Sequence, residues 1–198
     1  MELQQRIINK YVTRDQILAA GSKLGILKDD CLYFEGEDEV NVVMDLCIYE
    51  DWEGNGNAIQ RYHEDPGPAS DIETKLLDGM INARSSLFEV EFIDGIQINL
   101  RNILHDRHVH EPALDSFLEI NFSKSCKIGM LVYTRLIPFA EFGVTSGIIF
   151  PFTVSMKSTL LDAYYQRFSS GMTNPLDEYA LFFKLYRDQG IAVVSRYV

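Results

Sequence analysis

Little positive charge, few cysteines and no long apolar run mark this sequence, and each shortage closes off a class of function. Lys and Arg total 18 against 29 Asp and Glu, a net charge of −11. A nucleic-acid binder needs a basic face to displace the counterions of the phosphate backbone, and no window of the chain supplies one. Anionic membrane surfaces are disfavoured by the same sign of charge. No stretch approaches the roughly 18 apolar residues of a membrane span. The N-terminal MELQQRIINKYVTRD lacks the apolar run and small-residue cleavage site of a signal peptide. The three cysteines, Cys31, Cys47 and Cys126, are odd in number, far apart and without metal-type spacing. They read as reduced thiols, with Cys47 in VVMDLCI acting as a small core hydrophobe. The expectation is a cytoplasmic protein with no nucleic-acid or membrane partner.

What is present is an ordinary globular composition. The 198 residues are 46% apolar and 12% aromatic, enough to bury a core without disulfide staples. There is no internal repeat and no low-complexity segment.

Periodicity divides the chain into three parts. Residues 1–84 read as helical. Ile7, Ile8, Tyr11 and Val12 mark one helix face, and Thr13 with Gln16 forms a capping box that opens a second helix ending near Gly25. Val40, Val43, Met44, Cys47 and Ile48 share a face of a third. Val42, Leu46 and Tyr49 extend its apolar arc most of the way round, the pattern of a buried helix. Asp45 lies within that helix and needs a partner there. EGNGN is a loop, and Asn57–His63 a short helix ended by DPGP. Ser70 and Glu73 open another helix, with Ile72, Leu76, Leu77 and Met80 toward the core.

Residues 85–154 switch to period two. Phe88, Val90 and Phe92 alternate with acids, Asp94-Gly95 makes a hairpin turn, and Ile96, Ile98 and Leu100 return. His105-Asp106 suits a second turn, and Leu114, Leu118, Ile120 and Phe122 suit a further strand. Met130–Pro138 is apolar on both faces, and Val144–Phe152 is strand-like with Gly147 at a bulge. Residues 155–198 return to helix. Ser155 is expected to cap a helix presenting Met156, Leu160, Leu161, Tyr164, Tyr165 and Phe168. Asn174-Pro175 opens the last helix, which runs to Gly190, and IAVVSRYV suits a terminal strand. The expected fold is α+β: N-terminal helices packed on a small antiparallel sheet or barrel, then C-terminal helices, as one two-lobed domain.

Three features carry chemistry. HDRHVHE places His105, His108 and His110 together, and imidazoles two apart on a strand point to one side. Such a cluster suits zinc or another divalent metal, with Asp106, Glu111 or His63 completing the set. Against it, no HExxH or CxxC is present, and a polar hairpin explains the same residues. Arg135 in VYTRLIPF is a charge inside an apolar strand. It matches Asp45 inside an apolar helix, either as a buried ion pair or as an anion pocket, with Arg61 a further candidate for the same group. Third, NAIQRYHED gathers Arg61, Tyr62 and His63 after the loop. Neither a nucleophile elbow nor a GxGxxG phosphate loop occurs. Tyr164, Tyr165, Phe168, Tyr179, Phe182, Phe183, Tyr186 and Tyr197 load the last third with rings, which suits a core and also a homodimer surface.

Residues 32–152 resemble a family of uncharacterised bacterial proteins. The resemblance rests on MDLCIYE (44–50), GNAIQRY (56–62), SSLFEVEFIDG (85–95), LRNIL (100–104), YTRLIPF (133–139) and TSG (145–147). It implies a helical stretch followed by a small β-barrel-like region, and it implies no activity. Asn102 stands where such relatives carry an acid, and the histidine cluster lies outside the shared pattern. The expected function is a non-enzymatic binding or protein-interaction protein, its partner another protein or a second copy. The alternatives are a metal-dependent hydrolase on His105, His108 and His110, and an acidic nucleic-acid mimic or regulator.

Overall fold

The computed structural model describes residues 2–95, 97–104, 117–118, 126–168 and 174–191. The fold is α+β, as its periodicities imply. Contacts divide the chain into two compact units, one of residues 1–83 with 175–180, the other of residues 84–174 with 181–198.

The first unit is helical. Its helices are α1 (Glu2–Tyr11), α2 (Arg14–Leu24), α3 (Glu39–Tyr49), α4 (Ala58–Glu64) and α5 (Asp71–Ile81). A two-residue hairpin, β1 (Leu27–Lys28) with β2 (Cys31–Leu32), joins α2 to α3. Local chemistry sets the boundaries. Thr13 caps α2 in a reciprocal box with Gln16, and Gly25 closes it at φ 74°, a left-handed conformation that favours glycine. Asn57 caps α4 in the same way with Gln60. Its amide also donates to the Tyr49 carbonyl at 3.0 Å, tying the end of α3 to the start of α4. Ile7, Val43, Leu46, Ile59 and Leu77 are fully buried between these helices.

Two apolar positions depart from the expected pattern. Val40 is 42% exposed in the first turn of α3, where Glu39 takes the buried position. Ile72 is 80% exposed: it sits in the first turn of α5, where Glu73 takes the inward position.

The second unit is built on strands β3 (Arg84–Asp94), β4 (Gln97–Asn102), β6 (Leu131–Pro138) and β7 (Gly143–Phe152), paired antiparallel in the order β4-β3-β6-β7. The two-residue β5 (Phe117–Leu118) pairs with β4 on one side and β7 on the other, so the hydrogen-bonded order closes on itself. One sheet face gathers Phe88, Val90, Ile98, Leu100, Val132 and Leu136 into a core. On the other, Tyr133 stacks on Phe182 at 4.3 Å between ring centroids, and Phe150 stacks on Tyr186 at 5.1 Å. Burial on both faces is why β6 is apolar at nearly every position. Tyr164 of α6 (Lys157–Arg167) packs on Phe182 in turn, and Phe182 and Tyr186 come from α7 (Pro175–Gln189); Leu160, Tyr164, Phe182 and Phe183 are buried. Each such side chain contributes about 1.5–3 kcal/mol by leaving water.

Strand irregularities overturn one expectation and bear out another. Register shifts between Val90 and Phe92, so an extra residue reverses the alternation and turns Phe92 out, 53% exposed. On β7, Thr145 and Ile149 face Leu136 and Thr134, leaving residues 146–148 opposite Arg135, with Gly147 at φ 94°. Ser155 does not cap α6: the helix is entered through a 3-10 turn over Val154–Met156, and the Ser155 hydroxyl bonds Thr153. Tyr165 is 37% exposed rather than on the buried face. The segments holding Leu114, Ile120, Phe122, Tyr197 and the expected terminal strand lie outside the described residues.

Candidate functional site

Helices α1, α4 and α5 of the first unit bring cations and tyrosine rings together. Arg6 and Lys10 are four residues apart on α1 and therefore on one side of it. Arg61 and Tyr62 come from α4, and Glu73 from the first turn of α5.

Glu73 is the anchor. Its Oε1 accepts from Arg6 Nη2 at 2.9 Å and from the Tyr62 hydroxyl at 3.2 Å, and its Oε2 from the Ala69 amide at 3.3 Å. Ser70 caps the Glu73 amide as the capping box requires. The Glu73 side chain bonds the residue before the cap. Burial pushes the Glu73 carboxyl up, but the bonds from Arg6, Ala69 and Tyr62 outweigh it and hold the group below its ordinary range. Burial and the neighbouring Glu73 carboxylate push the Tyr62 phenol up, so it stays a neutral donor.

Tyr11 is the second centre. Arg61 lies over its ring at 5.2 Å and Lys10 at 5.3 Å, and Tyr62 meets it edge-on at 6.4 Å. Arg61 Nη2 donates to the Tyr11 carbonyl at 3.2 Å. Arg6 in turn lies 5.7 Å from the Tyr62 ring centre. Lys10 Nζ donates to both the carboxylate and the carbonyl of Asp65, each at 3.2 Å, and the Tyr11 hydroxyl donates to that same carbonyl. Desolvation lowers the Lys10 ammonium, but the bond to Asp65 prevails and its pKa rises.

Arg6, Asn9, Lys10, Tyr62 and Pro66 line an open cleft of about 490 Å³. That volume suits a small ligand or a few side chains of a partner. Its walls join the Tyr62 ring and Pro66 to the partly exposed cations Arg6 and Lys10.

Residues 1–196 match the family of unknown function DUF7986. The chain belongs to that family. No curated protein and no solved structure matches it.

The other expected sites fare differently. His105, His108 and His110 lie outside the described residues, as do Asp106 and Glu111. Among the described residues no group of three His, Cys, Asp or Glu is placed to hold a metal. His63 faces Asp78 at 3.6 Å. Asp45 and Arg135 are both buried, at 5% and 4% exposure, and belong to different units. Ser85 is the cross-strand neighbour of Arg135. Arg61 packs on the Tyr11 ring and bonds its carbonyl. The EGNGN loop is no phosphate cradle: Asp51 already accepts from the amides of Glu53, Gly54 and Gly56. All three cysteines are free, with Cys31 exposed and Cys47 and Cys126 buried. Among the described residues no helix is long and apolar enough to cross a membrane.

Proposed function

We propose that this protein works by binding, as a non-enzymatic cytoplasmic interaction protein of bacteria, and that the α1–α4 face receives an anionic partner. One observation carries the reading. Arg6, Lys10 and Arg61 gather on Tyr11 and Tyr62 in a chain of net charge −11. Three cations meet there in a protein whose overall charge is negative, two of them paired with Glu73 and Asp65. Distant acids are screened beyond about 8 Å at physiological ionic strength, so the local charges decide what the cleft attracts. The three free cysteines fit a reducing compartment.

Calorimetric titration with capped hexaglutamate and, separately, hexalysine tests the reading. Saturable binding of hexaglutamate that is lost in the Arg6→Gln/Lys10→Gln double variant supports it. Binding of neither peptide, or hexaglutamate binding indifferent to those substitutions, removes it.

A further inference from the structure

We infer that Asn55-Gly56, in the loop between α3 and α4, is a site of spontaneous deamidation, and that the Asp51 carboxylate is the latch that holds it unreacted in the folded protein. The inference does not depend on the reading of the α1–α4 face as a binding surface.

Of the nine asparagines, only Asn55 precedes a glycine. The reaction needs that neighbour. The Gly56 amide nitrogen gives up its proton and attacks Asn55 Cγ, closing a succinimide ring. The bond from Cγ to the side-chain nitrogen breaks, and that nitrogen leaves as ammonia with the proton. Water then opens the ring at either carbonyl, leaving aspartate or isoaspartate at position 55. A side chain on residue 56 would crowd the attacking nitrogen, and the fold disfavours one there on two counts. The φ of Gly56 is 90°, a left-handed conformation, and a Cβ would meet Gln60 Oε1 at 3.1 Å. Asn55 is exposed, so water reaches the ring. Two hydrogen bonds oppose the attack. The Gly56 amide donates to Asp51 Oδ2 at 3.1 Å, and Asn55 Nδ2 donates to Glu53 Oε2 at 3.3 Å. A carboxylate on the Gly56 N–H disfavours loss of that proton, because the nitrogen would turn negative beside a negative charge. The bond must also break before the nitrogen can turn on Cγ. The amides of Glu53 and Gly54 donate to Asp51 as well. Desolvation pushes the Asp51 carboxyl up, but the bonds from the Gly56, Gly54, Glu53 and Asn55 amides outweigh it and hold the group below its ordinary range. The latch therefore stays charged at neutral and alkaline pH, where the reaction runs. Reaction at Asn55 replaces its bond to Glu53 with two like charges. Isoaspartate also lengthens the backbone just before Asn57, which caps α4 and holds the Tyr49 carbonyl.

The test follows the full chain at pH 8, folded and unfolded in guanidinium, with Asp51→Asn and Gly56→Ala variants. Peptide mapping by mass spectrometry reads the loss of Asn55 and the gain of isoaspartate at that position. The unfolded chain and folded Asp51→Asn are both expected to convert about tenfold faster than the folded chain, since neither must first break a hydrogen bond to an ionised group. Unfolded Gly56→Ala should convert more slowly than the unfolded natural chain. Protection of the buried Cys47 from a thiol reagent reports that Asp51→Asn is folded. Should that variant expose Cys47, Asp51→Glu takes its place: it keeps the charge, shifts the acceptor by a methylene, and should likewise convert faster. A folded chain that converts as fast as the unfolded one overturns the latch, as does a folded Asp51 variant with an unchanged rate. No isoaspartate at position 55 in the unfolded chain removes the site itself.

Discussion

Glu73 gathers a guanidinium, a phenol and a backbone amide from three places in the sequence, and its ionised form is what all three bonds need. Its folded pKa lies below the ordinary 4.5, so its stabilising contribution is present above that value and is lost as pH falls through the folded one. Glu89 behaves alike, with the Lys157 ammonium the main cause of its lowered pKa. Unfolding followed between about pH 5 and pH 3 should show stability falling with acid, and Glu73→Gln should be less stable at pH 7 and flatter across that window. An equal acid slope in the variant would contradict the assignment. The cysteines make a second residue-scale case. Burial pushes the Cys47 thiol up to about 12, so it carries almost no thiolate at neutral pH. A thiol reagent at pH 8 should label only Cys31 in the native chain, and all three cysteines once it is unfolded. Rapid native labelling of Cys47 would mean that α3 opens.

Two helix caps and the Gly147 bulge were readable while the bulge after Val90 was not, and range explains the difference. A cap is a contract between residues three apart, so Thr13 with Gln16 and Ser70 with Glu73 announce themselves in the sequence. A bulge is set by the partner strand. The shift after Val90 reverses the inside–outside order, which alternation alone cannot reveal, and Phe92 was therefore assigned to the wrong side. Ile72 and Val40 fail for a different reason: in the first turn of each helix a neighbouring acid, Glu73 or Glu39, takes the inward position. Asn57→Ala removes both the cap and the bond to Tyr49, and should cost about 1–2 kcal/mol by denaturant unfolding. Gly147→Ala forces a side chain into φ 94° opposite Arg135, and should cost about 1 kcal/mol or more although space around it is open. A neutral result for Gly147→Ala would mean that the bulge relaxes.

At the scale of the molecule, the aromatic tail and the cleft separate what sequence shows from what only assembly creates. The ring-rich last third suited a core or a dimer surface. Phe182 and Phe183 are fully buried against the strands of their own unit, which accounts for much of that loading without a second copy. One lining residue of the cleft, Tyr62, stood in a motif legible in the sequence, beside Arg61. The grouping of Arg6, Lys10 and Glu73 was not legible, because the partners of Arg6 and Lys10 lie 67 and 55 residues away. The available signal was electrostatic: Arg6, Lys10 and Arg14 crowd the start of an acidic chain. The most direct test is to follow backbone amide shifts of isotopically labelled protein during titration with hexaglutamate. The account predicts saturable shifts centred on residues 6–11 and 61–66, absent in Arg6→Gln/Lys10→Gln. Shifts centred elsewhere, or none at saturating peptide, would contradict it.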